Sequence, residues 1–201
     1  MTSQLERKSS CNSILEELPD REGSRTNAKG ILREIVETAG LTMVIFFLVR
    51  LAFQNLRIEM QSMEPNLHHG QFLVINKLVY YLHRPQRGDV IVFHSPENPR
   101  KDFVKRVVGL QGEEVEIREG QVLVNGTRLE ETHIAQPANE FWGTEVVGES
   151  EYFVLGDNRN SSRDSGSWGM LDAEVIIGKA WICYWPPQEW GLVAHYALVS
   201  G

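Results

Sequence analysis

Three short stretches of this 201-residue chain hold more hydroxyl, amine, carboxylate and amide groups than a structural reading requires. The first is Gln61-Ser62-Met63-Glu64-Pro65-Asn66-Leu67. The second, Asp102-Phe103-Val104-Lys105-Arg106-Val107-Val108-Gly109, sets two basic residues inside an apolar strand. The third, Gly156 to Gly169 (GDNRNSSRDSGSWG), is a loop dense with hydrogen-bonding side chains. Groups of these kinds suit nucleophilic chemistry at a hydroxyl. A serine is a poor nucleophile until a base takes its proton, and a lysine with its ordinary pKa of about 10.4 is neutral in roughly one molecule in 2,500 at pH 7. Apolar neighbours can change that: Lys105 lies between Val104 and Val107-Val108, and lowering its pKa to about 8 disfavours the ammonium by roughly 3 kcal/mol. Strand alternation puts Lys105 with Phe103 and Val107 on one face and Arg106 with Val104 and Val108 on the other, so one of the two faces a site. Taken singly, the same residues read as structural. Ser62 is then a turn serine before Pro65, Lys105 an edge-strand lysine that discourages aggregation, and Asp157-Asn158 and Asp164-Ser165 surface Asx-turns.

Other chemistries have little to hold them. No Cys/His cluster has metal-ligand spacing, and no phosphate loop, dinucleotide glycine pattern or H-E-x-x-H is present, so neither metal nor cofactor is expected. His68, His69, His83, His94, His133 and His195 lack spacing partners and read as surface or satisfied-core residues. No Ser-His-Asp triad is signalled. Two cysteines in different segments, Cys11 and Cys183, exclude a disulfide scaffold. A net charge of −7 with no basic stripe argues against a nucleic-acid partner.

The elements that must position these groups fall into three parts. Residues 1–33 carry six Lys/Arg and five Asp/Glu among Ser, Asn, Gly and Pro, and read as a flexible cytoplasmic tail. Thr38 to Leu56 is a 19-residue apolar window with one charge, Arg50, near its end, where the guanidinium can reach the interface. Arg21, Arg25, Lys29 and Arg33 precede it, and no A-x-A pair follows. The window therefore reads as a retained single-pass anchor over 38–56, N-terminus cytoplasmic and the remainder outside. From residue 57 to 201 short apolar runs alternate with turns, which predicts an extracytoplasmic, mostly β domain. Gln71–Leu78, Asp89–His94, Glu151–Leu155 and Ile176–Trp185 read as strands, and Glu113–Asn125 as a hairpin turning at Glu119-Gly120. Asn125-Gly126 is a second hairpin turn. Trp142, Trp168, Trp185 and Trp190 are candidates for contact with lipid, with core packing as the alternative.

Together and in this order, after an apolar N-terminal segment, S-M-x-P at Ser62–Pro65, V-K-R-V-x-G at Val104–Gly109 and G-D-N-R-x-x-S-x-D-S-x-x-W-G at Gly156–Gly169 resemble the boxes of type I signal peptidases. The resemblance runs from about Ile58 to Trp185. It implies a signal-peptidase-like β domain with an N-terminal transmembrane helix, and a membrane-bound Ser/Lys endopeptidase that removes signal peptides from exported pre-proteins after small-x-small residues. Ser62 is implied as nucleophile and Lys105 as general base. Ser162 is implied beside the lysine, holding its rotamer, while Asp157, Arg159 and Asp164 shape the loop. The location implied is the plasma (inner) membrane, with a thylakoid membrane also open.

The chain departs from the family at three places. Met60 stands where many members carry a hydroxyl that helps bind the oxyanion, so the hole rests on the Ser62 backbone N–H with help from Gln61 or a water. Met60, Gln61 and Met63 are the candidate substrate and oxyanion contacts. Gly166 replaces an arginine, so Asp164 needs another partner, for which Arg163 and Arg159 are candidates. Asn66 stands where threonine is common and is expected to matter least. The competing reading is a catalytically degenerate relative that binds export substrates or machinery. A self-cleaving Ser/Lys repressor would need a DNA-binding helical domain that residues 1–33 do not supply.

Overall fold

The computed structural model describes residues 22–139 and 141–198, with only the backbone of 22–27. Among the described residues, those up to Leu48 form one compact unit and those from Val49 onward a second. Helix α1 spans Glu22–Ala52, and its segment Ala28–Ala52 is long and apolar enough to cross a bilayer. At 1.5 Å per residue those 25 residues run to about 37 Å, more than the roughly 30 Å of a hydrocarbon core. Two expected boundaries shift. The tail was expected to reach residue 33, but 22–33 are helical; residues 1–21, with Cys11, lie outside the described residues. The anchor was expected to reach Leu56, but Phe53–Arg57 is strand β1, drawn out of the helix by pairing with a strand at Phe72–Asn76 and by stacking of Phe53 on Trp181.

The second unit is mostly β, as the alternation predicts. After β1 come β2 (Phe72–Asn76), a helical turn α2 (Val79–Leu82), β3 (Val90–His94) and β4 (Asp102–Gly109). Next are β5 (Glu114–Arg118), β6 (Gln121–Val124), β7 (Thr127–Arg128), β8 (Trp142–Val146) and β9 (Glu151–Leu155). A short helix α3 (Ser165–Trp168) precedes β10 (Leu171–Asp172), β11 (Ile176–Trp185) and β12 (Gly191–Leu192). The larger sheet runs β1-β2-β11-β3-β4-β9-β10 with β12 beside β11, and the smaller runs β7-β6-β5-β8. Both hairpin turns form where expected: Glu119-Gly120 and Asn125-Gly126 adopt positive φ at both central residues, as two-residue turns that match strand twist require.

The strand β3 explains why its sequence is an unbroken apolar run. Val90 and Val92 enter a core with Met63, Leu67, Leu73, Ile75 and Ala180. On the opposite face Ile91 and Phe93 pack with Phe103, Val107, Val154 and Leu171. A third core joins the smaller sheet to Val108, Phe153 and Leu155. Of the four candidate lipid-facing tryptophans, Trp142 packs on Phe153 and Trp168 on Phe103 and Phe93, whereas Trp185 and Trp190 are exposed.

Pairing of β4 with β9 covers Arg106 to Gly109 and shifts register there. Asp102–Lys105 is thus ladder-bonded on its β3 side only, among the described residues. Gly109 holds this junction closed, because a Cβ there would sit 2.6 Å from Val115 Cγ2 and 2.9 Å from Phe153 Cβ. Gly109→Ala should lower unfolding stability by about 1–3 kcal/mol, read from the denaturant midpoint with an unchanged slope.

Candidate active site

The chain leaves β1 and folds Ser62–Asn66 into one tight turn, with Asn66 and Leu67 N–H groups donating to the Met63 carbonyl at 3.0 and 2.9 Å. Met63, 1% exposed, pins that turn to the core beneath it. Alternation along β4 sends Lys105 toward the turn and Arg106 away from it. Lys105 Nζ lies 2.6 Å from Ser62 Oγ. Both residues are buried, Lys105 completely, and the ammonium sits 5.5 Å from the centre of the Phe103 ring.

Burial lowers the Lys105 pKa to about 8, and the charges of Asp164 and Asp157 oppose that shift without cancelling it. No carboxylate within salt-bridge distance of Nζ is found among the described residues. A neutral amine here accepts the Ser62 proton; an ammonium donates to the same oxygen. Ser62 borders a cleft of about 780 Å³ that Arg57, Met60, Met63, Phe103 and Val104 also line, with Lys105 buried behind it. Gln61 is exposed and does not border the cleft; its carbonyl accepts from Asn158 Nδ2 at 3.2 Å.

The third stretch meets the first through backbone contacts. Asn158 N–H donates to the Ser62 carbonyl at 3.0 Å. Gly156 permits this approach, since a Cβ at that position would stand 2.5 Å from the Ser62 carbonyl oxygen and 2.2 Å from Ser162 Oγ. Ser162 was expected to bond Lys105. Its hydroxyl is buried over Gly156 without a hydrogen-bond partner among the described residues, and the lysine is instead held by Ser62.

Asp164 also differs from expectation. It accepts from the backbone N–H of Gly156 at 2.9 Å and of Gly166 at 3.2 Å, capping α3. Backbone donors thus take the place of a guanidinium. Neither candidate arginine reaches it: Arg163 pairs with Glu97 across exposed surface, and Arg159 pairs with Glu131 and donates to the Gly156 carbonyl at 3.0 Å.

On the far face of β4, Arg106 and Asp157 form a fully buried two-point pair at 2.8 and 2.7 Å. Arg106 also donates to the Gly88 and Ala194 carbonyls at 2.8 and 3.1 Å and stacks 4.9 Å from the Tyr196 ring centre. Asn66, expected to matter least, is a junction. Its amide donates to Asp157 Oδ2 at 2.9 Å and to the His133 carbonyl at 2.8 Å, while its oxygen accepts from Tyr196 Oη at 3.0 Å. His133 is neither a surface nor a satisfied-core histidine. Its ring is buried without a hydrogen-bond partner among the described residues, stacked on Tyr196, and desolvation holds its pKa down at about 4. His195 is satisfied, accepting from the Val90 N–H at 3.1 Å.

Residues 32–185 match the family model described as signal peptidase, peptidase S26. The chain is 40% identical over 176 residues to a signal peptidase I of Leptolyngbya laminosa, covering 84% of this chain and 87% of that one. It is 33% identical over 178 residues to a protein of Arabidopsis thaliana named probable thylakoidal processing peptidase 2, chloroplastic, covering 85% of this chain and 48% of the other. A signal peptidase I crystal structure from Enterococcus faecalis shares 34% identity with a TM-score of 0.45, covering 48% of this chain and 97% of that one. Matched over most of its length by the family model and at this identity by a near full-length relative, the chain belongs to the signal peptidase family, peptidase S26.

Proposed function

We propose that this protein is a membrane-anchored endopeptidase that removes signal peptides from exported pre-proteins, cutting after small-x-small residues with Ser62 as nucleophile and Lys105 as general base. The observation that carries this reading is the 2.6 Å contact between Nζ and Oγ of two buried side chains, with the lysine pKa lowered to about 8 by burial. In the acylation step Lys105 takes the Ser62 proton as Oγ bonds to the scissile carbonyl carbon. The resulting ammonium then protonates the departing amine, and a water deprotonated by the same lysine later frees the acyl group.

The oxyanion is taken by the Ser62 backbone N–H, with a water as the second donor in place of the side chain that Met60 lacks, since Gln61 does not border the cleft. The substrate enters as an extended strand along the open edge at Asp102–Lys105, which leads its scissile bond to Ser62. Asp157, Arg159 and Asp164 position the loop around this centre, and Ser162 caps it over Gly156. The helix segment Ala28–Ala52 keeps the domain at the membrane that holds the substrate's own apolar segment. Plasma membrane and thylakoid membrane both suit this reading, with the N-terminus cytoplasmic and the catalytic domain on the far side.

The full chain in detergent, given a precursor with an A-x-A site, should cut after the second alanine, while Ser62→Ala and Lys105→Ala leave the precursor intact by mass spectrometry. Binding without cleavage by the unaltered chain would instead identify a degenerate relative. The base must be neutral to act, so kcat/KM should climb tenfold per pH unit below about 8 and level off above it. Gly156→Ala would force the loop and the Ser62 carbonyl apart, and should lower kcat by about 100-fold while the fold, by circular dichroism, persists.

A further inference from the structure

A second cavity, of about 350 Å³, lies away from Ser62 beside α2, β9 and β11. That volume is in the range of small-molecule sites. Its polar groups include Lys77, Arg84, Gln111, Ser150 and the tyrosines Tyr80 and Tyr152, and Ile176 and Ile177 form part of its apolar wall. No carboxylate lines it, although after residue 54 the chain carries 20 Asp/Glu against 13 Lys/Arg. Glu149, Glu151 and Glu174 adjoin lining residues in sequence, yet none borders the space.

The cationic and hydroxyl groups have spare hydrogen-bonding capacity. The Lys77 ammonium has no partner among the described residues. Arg84 uses one N–H on Gln111 Oε1 at 2.8 Å, which leaves most of its donors available. Tyr152 is 2% exposed, and its hydroxyl has no hydrogen-bond partner among the described residues. That hydroxyl borders the cavity and can donate to a ligand acceptor there. Tyr80 Oη, by contrast, is already committed to Asp89 at 3.1 Å.

Position narrows the ligand. The Lys77 backbone N–H donates at 2.9 Å to the carbonyl of Ala52, the last residue of α1. On the reading of Ala28–Ala52 as a membrane anchor, that end of the helix stands at the bilayer boundary. Leu78, Tyr81 and Leu82 are exposed between Lys77 and Arg84. Apolar and aromatic side chains flanked by cations are the pattern of a segment seated at a bilayer interface.

We propose that this cavity binds the phosphate-bearing headgroup of an anionic membrane lipid, with Lys77 and Arg84 on the phosphate oxygens and the Tyr152 hydroxyl donating a further hydrogen bond. The guanidinium fork matches two phosphate oxygens, the ammonium adds charge, and Ile176 and Ile177 face the glycerol end. This inference rests on the reading of Ala28–Ala52 as a membrane anchor. It does not depend on Ser62 or Lys105.

The test uses the full chain in nanodiscs of equimolar phosphatidylcholine and phosphatidylglycerol, with lipids retained after ejection counted by native mass spectrometry. The unaltered chain should keep one phosphatidylglycerol in preference to phosphatidylcholine. Lys77→Ala with Arg84→Ala should cut that retention at least about tenfold, and Tyr152→Phe, which keeps the ring in the core, by about threefold. Equal retention of the two lipids, or undiminished phosphatidylglycerol in both variants, overturns the proposal. Displacement of the lipid by inorganic phosphate at equal concentration also overturns it, and assigns the site to a soluble anion. Ser62→Ala should retain the lipid while losing cleavage, and extraction of membranes with alkaline carbonate checks the anchor separately. Failure of the peptidase reading or of the anchor is thereby told apart from failure of the lipid site.

Discussion

The active-site region is organised around the cost of keeping an amine away from water. Lys105 is fully buried, and its amine has one hydrogen-bond partner among the described residues, the Ser62 hydroxyl. A fall from 10.5 to about 8 corresponds to roughly 3 kcal/mol against the ammonium, at about 1.4 kcal/mol per unit. That penalty has to be met by the packing of β3 and β4, where Ile91, Phe93, Phe103 and Val107 share the lysine's face. Asp164 and Asp157 are close enough to pull the pKa back up, yet each is occupied elsewhere, Asp164 by backbone N–H groups and Asp157 by Arg106 and Asn66. If either carboxylate reached Nζ, the lysine would hold its proton and cease to be a base.

Arg106 solves the complementary problem one residue along the strand. Alternation throws its guanidinium to the opposite face, where Asp157, the Gly88 and Ala194 carbonyls and the Tyr196 ring satisfy it. A buried pair of this kind contributes little net stability, but removing one member would strand a charge at a cost of about 3–5 kcal/mol. Its value here is geometric. Asn66 ties Asp157 to the turn that carries Ser62, so the pair behind β4 fixes the register of the nucleophile in front of it. One dipeptide thus supplies a desolvated cation that must lose its charge and a paired cation that must keep it.

Much of this was legible in the sequence because it rests on local rules. The alternation of β4, the positive-φ turns at Glu119-Gly120 and Asn125-Gly126, and the strand bounds Glu151–Leu155 and Ile176–Trp185 each follow from residue type and period. What was missed depends on contacts distant in sequence. Asn66 looked incidental because its partners Asp157, His133 and Tyr196 lie 67 to 130 positions away. Asp164 invited an arginine, whereas the fold offered two N–H groups, those of Gly156 and Gly166. The end of the anchor was overrun for the same reason, since hydropathy cannot register that Phe53 leaves the helix to pair with Asn76.

The most direct test of the account is the titration of Lys105 itself, followed by NMR of the full chain in detergent with ¹⁵N-labelled lysine and assigned through Lys105→Arg. The Lys105 signal should titrate near pH 8. A Lys105 signal titrating near the ordinary lysine value of about 10.4 would mean the amine keeps its proton at neutrality, and would rule out its role as the base.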